Sequence, residues 1–508
     1  MMANLIQHWL HQFRRNRAFQ LILILCILHL IPIWGFKFIP TQDGLSHVYN
    51  SYLLKEWRNP EFTKFREVYN LNLTLFPNWS NYAFFIVALY IFPPLIAEKL
   101  FVTICVLLFP LAFYYLLGAI DKRLRIFGIL GFLYSYNYLL HMGFYNFVLS
   151  VPLCLIGIGY WWTHRENFRI AHGVLLYLLL IATYFSHLSS YTLLVFALSF
   201  LAGIYFLSRL RSEWRTSLKR FVLFIGYLVP AYFILFNTLL SNPEERNSSY
   251  RTFNELWNYF VDMKSLVSFN DDYVPVSWVL LGFFGCCILW TLIQRVREKR
   301  FFVVQDGFLL LAMILTVLYF RLPWAYGPPA WINDRVHLFI FPILLGWFIV
   351  PKQRWLKHSL IAVMLVLSVW HIGLTLRDYH RLNKDMKEFM SGVDLIEPDS
   401  VVSILEQGTG WRRAEHHGEI KYLSPFYHGT SYYCLGTGSH YVANYEPKYS
   451  YFPLRYKNGN WKFKYVEGEI DYMLAWFMDP QHTAVQALMK DYELIHETKN
   501  LKLFRLRN

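Results

Sequence analysis

Long apolar runs constrain this chain more than any other feature. A first run spans Ala18 to Phe36, and others fall near 96–117, 124–140, 143–162, 171–187, 190–207, 221–240, 276–293, 306–322, 336–350 and 357–376. A helix needs about 20 residues to cross a bilayer, with a range of roughly 17–25. The pattern therefore predicts an all-α polytopic membrane bundle. The first run follows Arg14, Arg15 and Arg17, and Pro32 with Trp34 offers no small-residue cleavage site. It reads as an uncleaved span rather than a signal peptide. Composition agrees: 56% of residues are hydrophobic and 16% charged, against roughly 25% charge in ordinary globular proteins. Disorder and an ordinary soluble enzyme are both excluded.

Trp79 to Phe92 is the ambiguous stretch, fourteen residues stopped by Pro93-Pro94. Let it lie along the interface, and 20 basic residues collect on one side of the membrane against 11 on the other before residue 377. Let it cross, and every later basic loop flips outward, against the positive-inside rule. The expectation is eleven spans with the N-terminus inside. Segments 37–95, 141–142, 188–189, 242–275, 321–335 and the tail then share the outer side. Residues 377–508 hold 17 basic and 17 acidic residues, so the net charge of +14 belongs to the first 376. Those basic residues sit in short loops between apolar runs, which fits a membrane surface and not nucleic acid.

Residues 1–376 thus form a transmembrane domain with outer loops 37–95 and 242–275, and 377–508 an outer soluble domain. A helical pattern covers Tyr379 to Val393. Strands are predicted at Val401 to Leu405, Asp471 to Trp476, Tyr492 to Glu497 and Leu501 to Leu506, with a helix from Thr483 to Lys490. This is a small α/β domain, whose Gly-, Tyr- and His-rich middle, 407–468, has no legible fold. Of six cysteines, five lie in apolar runs and Cys434 stands alone in the tail, with no metal-type spacing.

Unusual polar residues gather on the outer side. Asp43 and His47, four apart, share a face if helical. A carboxylate near the membrane surface suits a base for an alcohol, because low dielectric raises its basicity; capping the next helix is the structural alternative. His141 and His187 end two spans. With Asp43 and His47 they offer a divalent-metal alternative, though the spacing demands no metal or other cofactor. Asn146 lies just after His141 in sequence, and Asn333-Asp334-Arg335 opens a late span. Arg335, a planar fork of donors, favours a phosphate or carboxylate, and Arg321 is a second candidate. Glu244, Glu245 and Arg246 read as a solvated cluster, and Asp271-Asp272 as a turn. Phosphate loops and G-x-S-x-G are absent.

The order of first span, acidic outer loop, interface helix, six spans and second outer loop resembles the GT-C superfamily of integral-membrane glycosyltransferases. The likeness is to bacterial multi-span members. It rests on Asp43-x-x-x-His47, on Gly143 to Phe147 with Asn146, on His187 to Ser190, on Arg335 and on the final stretch Tyr472 to Leu506. Where the family often carries two adjacent carboxylates in the first loop, this chain has Gln42-Asp43. The resemblance implies a polyprenyl-phosphate sugar donor, a lipid or glycan acceptor, membrane lipids as partners, and transfer with inversion on the outer face of the bacterial inner membrane. Asp43 would be the base, with His47 beside it. Arg335, helped by His187 or Arg321, would hold the donor phosphate, and His141, Asn146 and Asp334 would line the pocket. Two other readings remain at this level: a secondary transporter or flippase of envelope lipids, and a non-catalytic scaffold of the same fold.

Overall fold

The computed structural model describes residues 17–240, 247–300, 302–327, 330–405, 420–457, 469–479 and 481–507. Arg14, Arg15, the Glu244-Glu245-Arg246 cluster and parts of the Gly/Tyr/His-rich middle lie outside the described residues.

Helix α1 (Arg17–Trp34) leads into the first loop, where α2 (Gly44–Lys55) is buried along nearly its whole length. Strand β1 (Tyr69–Leu71) and helix α3 (Ser80–Ala88) follow. Nine residues rise only about 13 Å, under half of a hydrocarbon core of about 30 Å, so α3 is too short to cross. Pro93-Pro94 then starts α4 (Pro94–Ile120), with proline at the first position, where its missing N–H costs nothing.

The next expected span, 124–140, is not one helix. It is a 3-10 helix (Lys122–Ile129), a short α-helix (Leu130–Ser135) and a single turn (Tyr138–His141). The break falls at Tyr136 and Asn137, whose side chain caps the last turn by accepting from the Leu140 N–H at 3.0 Å. The segment survives as a span-like piece because it is packed inside the bundle rather than facing lipid.

Helices α5 (Tyr145–His164) and α6 (Ile170–Ser186) form an antiparallel hairpin, followed by α7 (Leu188–Ser208) and α8 (Leu210–Leu240). A two-residue strand β2 (Ser248–Ser249) precedes α9 (Val274–Arg297) and α10 (Asp306–Arg321). Strand β3 (Ala325–Tyr326) pairs antiparallel with β2 and leads into α11 (Ile332–Leu344) and α12 (Arg354–Phe389). Among the described residues six helices are long and apolar enough to cross a membrane, which fits an integral membrane protein, against the eleven spans expected. The others fall short by length or by breaks: α10 has 16 residues and α11 has 13. Large apolar side chains stand exposed along α8, among them Val222, Leu223, Val229, Phe233 and Phe236, as on a surface solvated by lipid.

The expected boundary at 376/377 falls inside α12, which continues unbroken to Phe389 with Tyr379, Leu382 and Met386 fully buried. Beyond it come β4 (Val401–Leu405), β5 (His440–Tyr441), β6 (Leu454–Tyr456), β7 (Tyr472–Trp476), α13 (Thr483–Asp491), β8 (Tyr492–Glu497) and β9 (Leu501–Leu506). The four strands and the helix expected from sequence stand at those positions. The sheet runs β5-β4-β7-β9-β8, parallel at β5-β4-β7 and antiparallel beyond.

This tail is sewn to the first loop. Strand β6 pairs antiparallel with β1, placing Tyr69 opposite Tyr456. Asn50 and Asn444 exchange amide hydrogen bonds at 3.1 and 2.8 Å. The Asp399 carboxylate accepts from the Thr63 N–H, the Thr63 hydroxyl and the Lys64 N–H at 2.6, 2.6 and 2.9 Å. Loop and tail therefore form one polar layer over one end of the helices.

Candidate active site

Asp43 sits at the N-cap position of α2, yet its side chain makes no capping bond. The backbone holds it instead: the Gln42 and Asp43 N–H groups donate to the His141 and Met142 carbonyls at 2.9 and 3.1 Å. That close approach requires Gly143. Its φ is +81°, and a Cβ there would lie 2.3 Å from the Gly44 nitrogen and 2.7 Å from that of Asp43. Two loops distant in sequence are thereby clamped, and the carboxylate is turned away from its own helix.

It turns into a cavity of about 740 Å³. Asp43, His47, Asn146, His187 and Arg335 all line it. Helix α5 fixes where this cavity lies. Asn146 and Phe147 are in its first turn at the cavity, while His164 and Arg165 at its far end line a separate shallow pocket. Twenty residues rise about 30 Å, so the two pockets sit at opposite ends of the bundle. Helix α6 returns the chain to His187 at the cavity end.

Three expected site residues are elsewhere. His141 is a core residue: its Nδ1 is 2.8 Å from the Ser268 hydroxyl and its Nε2 is 3.2 Å from the Tyr379 hydroxyl. Arg321 ends α10 exposed and does not line the cavity. Asp334 does not line it either, and is buried against Arg251 at 3.4 Å. One turn of helix separates these roles. Asn333 donates to the Tyr319 and Leu322 carbonyls at 2.7 and 3.0 Å, locking α11 to α10. Asp334 takes Arg251, and Arg335 is left facing the cavity.

Around Asp43 the tail supplies what the sequence did not reveal. His47 Nδ1 lies 2.7 Å from Glu446 Oε1, and Tyr82 donates to Glu446 Oε2 at 2.6 Å. Burial pulls the His47 imidazole down, but the Glu446 and Asp43 carboxylates outweigh it and its pKa is raised. Burial pushes the Asp43 carboxyl up to about 7, against the pull of His47 and a hydrogen bond from Gln42. His428 Nε2 is 3.8 Å from Asp43 Oδ1, but burial and then His47 push that imidazole down to about 3. It is neutral at pH 7 and too distant for a hydrogen bond, so this contact is no ion pair. Tyr445 also lines the cavity and stacks on His428 with ring centroids 4.8 Å apart; nothing in the sequence marked it, Glu446, His428 or Tyr82. For the three tail residues the only signal was a tyrosine- and histidine-rich stretch with no secondary-structure pattern.

Arg335 is 9% exposed, with its guanidinium carbon 5.2 and 5.6 Å from the Phe144 and Phe147 rings. Its Nε has no hydrogen-bond partner, and no carboxylate among the described residues lies within ion-pair distance. A buried cation without an ion-pair partner is costly and is poised to take an anion. His187 lines the same cavity. Its Nδ1 accepts from the Ser189 N–H at 3.1 Å, which places the ring proton on Nε2 as a free donor. Asn146 braces the entrance, donating to the Asn78 carbonyl at 2.7 Å and to Asn81 Oδ1 at 2.8 Å. Among the described residues no three His, Cys, Asp or Glu side chains are grouped to hold a metal ion. The chain matches no protein-family model and no curated protein.

Proposed function

We propose that this chain is a membrane glycosyltransferase of the GT-C type. It would move a sugar from a polyprenyl-phosphate donor to an acceptor hydroxyl at the extracytoplasmic face of a bacterial inner membrane. One observation carries the reading: a base-type carboxylate, Asp43, and a guanidinium without an ion-pair partner among the described residues, Arg335, line the same cavity. Leu188, Thr238 and Leu239 on its wall belong to helices whose outer faces are apolar, which suits a lipid-linked donor.

The chemistry follows from those groups. The acceptor oxygen attacks the anomeric carbon as the bond from that carbon to the phosphate oxygen breaks. The acceptor proton passes to Asp43, whose carboxyl, raised to about 7, is matched to that task near neutral pH. The leaving phosphate keeps the bonding electron pair, and its charge is met by Arg335 and by the Nε2–H of His187. A single displacement inverts the anomeric centre. The basic far end of the bundle, with Arg165, Arg169 and Arg209, supports placing the cavity outside.

The test is transfer of labelled sugar from polyprenyl-phosphate donors in membranes holding the chain, with the wild type compared with Asp43→Asn. Transfer lost in a folded variant supports the reading. Wild-type turnover in Asp43→Asn removes Asp43 from the base role, and donor counterflow in proteoliposomes without transfer points to transport instead.

A further inference from the structure

We infer that Glu446, brought by the C-terminal segment, is a positioning residue that holds His47 in place as an imidazolium and through it favours ionisation of Asp43. This rests on the reading of Asp43 as the base. The geometry is specific. Glu446 is 0% exposed and His47 5% exposed, and Glu446 Oε1 lies 2.7 Å from His47 Nδ1, an ionic contact without hydrogen-bond alignment. The second oxygen, Oε2, accepts from Tyr82 at 2.6 Å, and the Tyr82 hydroxyl is itself 2.9 Å from His47 Nδ1. Among the described residues His47 is the only cationic partner within ion-pair distance of this buried carboxylate. A carboxylate so enclosed is costly to leave charged without one.

The register is fixed from both sides. Asp43, His47 and Asn50 fall on one stripe along α2 and its N-cap, at spacings of four and three residues. The Asn50–Asn444 amide pair sets the tail two residues before Glu446. The groups facing His47 are Asp43 from its own helix cap, Tyr82 from α3, Tyr145 from α5, and Glu446 and Phe452 from the tail. His428 and Glu98 act on or feel its charge from slightly farther away. Of these, Glu446 makes the direct ionic contact with His47; on Asp43 the pull of the His47 charge exceeds the opposing repulsion from Glu446. Losing the imidazolium therefore leaves burial to hold the proton on Asp43.

The experiment follows the His47 ring by histidine-selective isotope labelling and NMR of the whole detergent-solubilised chain, the signal being assigned with His47→Gln. It is run alongside the pH profile of transfer. In Glu446→Gln, His47 should lose its proton about 1–3 pH units lower than in the wild type, and the rising limb of transfer should move to higher pH. Glu446→Asp keeps the charge and should fall in between; it carries the test if the glutamine variant does not fold. An unchanged His47 titration in folded Glu446→Gln overturns the inference, as does a shifted titration with an unmoved rising limb. If the wild type shows no transfer while His47 still responds to Glu446→Gln, the pairing stands and the transferase reading falls.

Discussion

Asp43 and Arg335 each occupy a position that is unfavourable without a function. A carboxyl buried enough to be raised to about 7 keeps its proton when folded at pH values where the unfolded chain has lost it. Its contribution to stability is therefore lost as pH rises from the ordinary carboxylate range through about 7. Activity should run the other way. Transfer is expected to rise with pH through about 7, because the base must be ionised, and Asp43→Asn should lower it by about 10²–10⁴-fold while leaving the melting temperature at or above wild type. A rate profile flat from pH 5 to 8 would contradict this. For Arg335, truncation to alanine should lower the rate by about 10²–10³-fold. Lysine should rescue little, since a point charge does not reproduce the planar fork; a steady-state comparison of the two variants at saturating donor checks it.

At the scale of elements, the loop that carries Asp43 depends on one backbone position. Gly143→Ala places a methyl group on the Gly44 and Asp43 nitrogens at a φ of +81°. The cost should be about 1–3 kcal/mol of strain. Thermal unfolding should show the lower stability, and transfer should fall further than stability does, because the strained bond is the one that aims Asp43. Equal losses in both would mean the loop tolerates the shift. The 124–140 segment teaches a related lesson. Its hydropathy is that of a span, but Tyr136 and Asn137 break it, and the break is satisfied inside the bundle by capping rather than by regular helix. Hydropathy reports the solvent of a segment and does not report its continuity. The same limit applies to α10 and α11, whose lengths of 16 and 13 residues fall below the usual span.

For the whole molecule, sidedness is the property on which the site depends. Cysteines introduced at Leu73 and Tyr326, both exposed near the cavity end, should react with a membrane-impermeant maleimide from the same side. One at Arg169, beyond the far end of α5, should react only from the other. Labelling of positions 73 and 326 from opposite faces would separate Asp43 from Arg335 and remove the shared cavity.

By itself the sequence determined the material of this protein: an apolar helical bundle, a Trp79–Phe92 stretch too short to cross, and four tail strands with their helix. Those follow from local periodicity and turn chemistry, which short windows of sequence contain. It also pointed to Asp43, His47, His187 and Arg335, because ionisable groups are rare beside spans, and to Asn146 through the resemblance to the GT-C pattern. Only the tertiary structure decided which of them meet. His141 and Asp334 have the same chemistry as His187 and Asp43, but found partners in Ser268 and Arg251 and left the cavity. Glu446, four hundred residues from Asp43 in round terms, reached it through a two-strand pairing and an amide exchange. Burial and charge compensation are set by every neighbour in space, and no spacing along the chain encodes them.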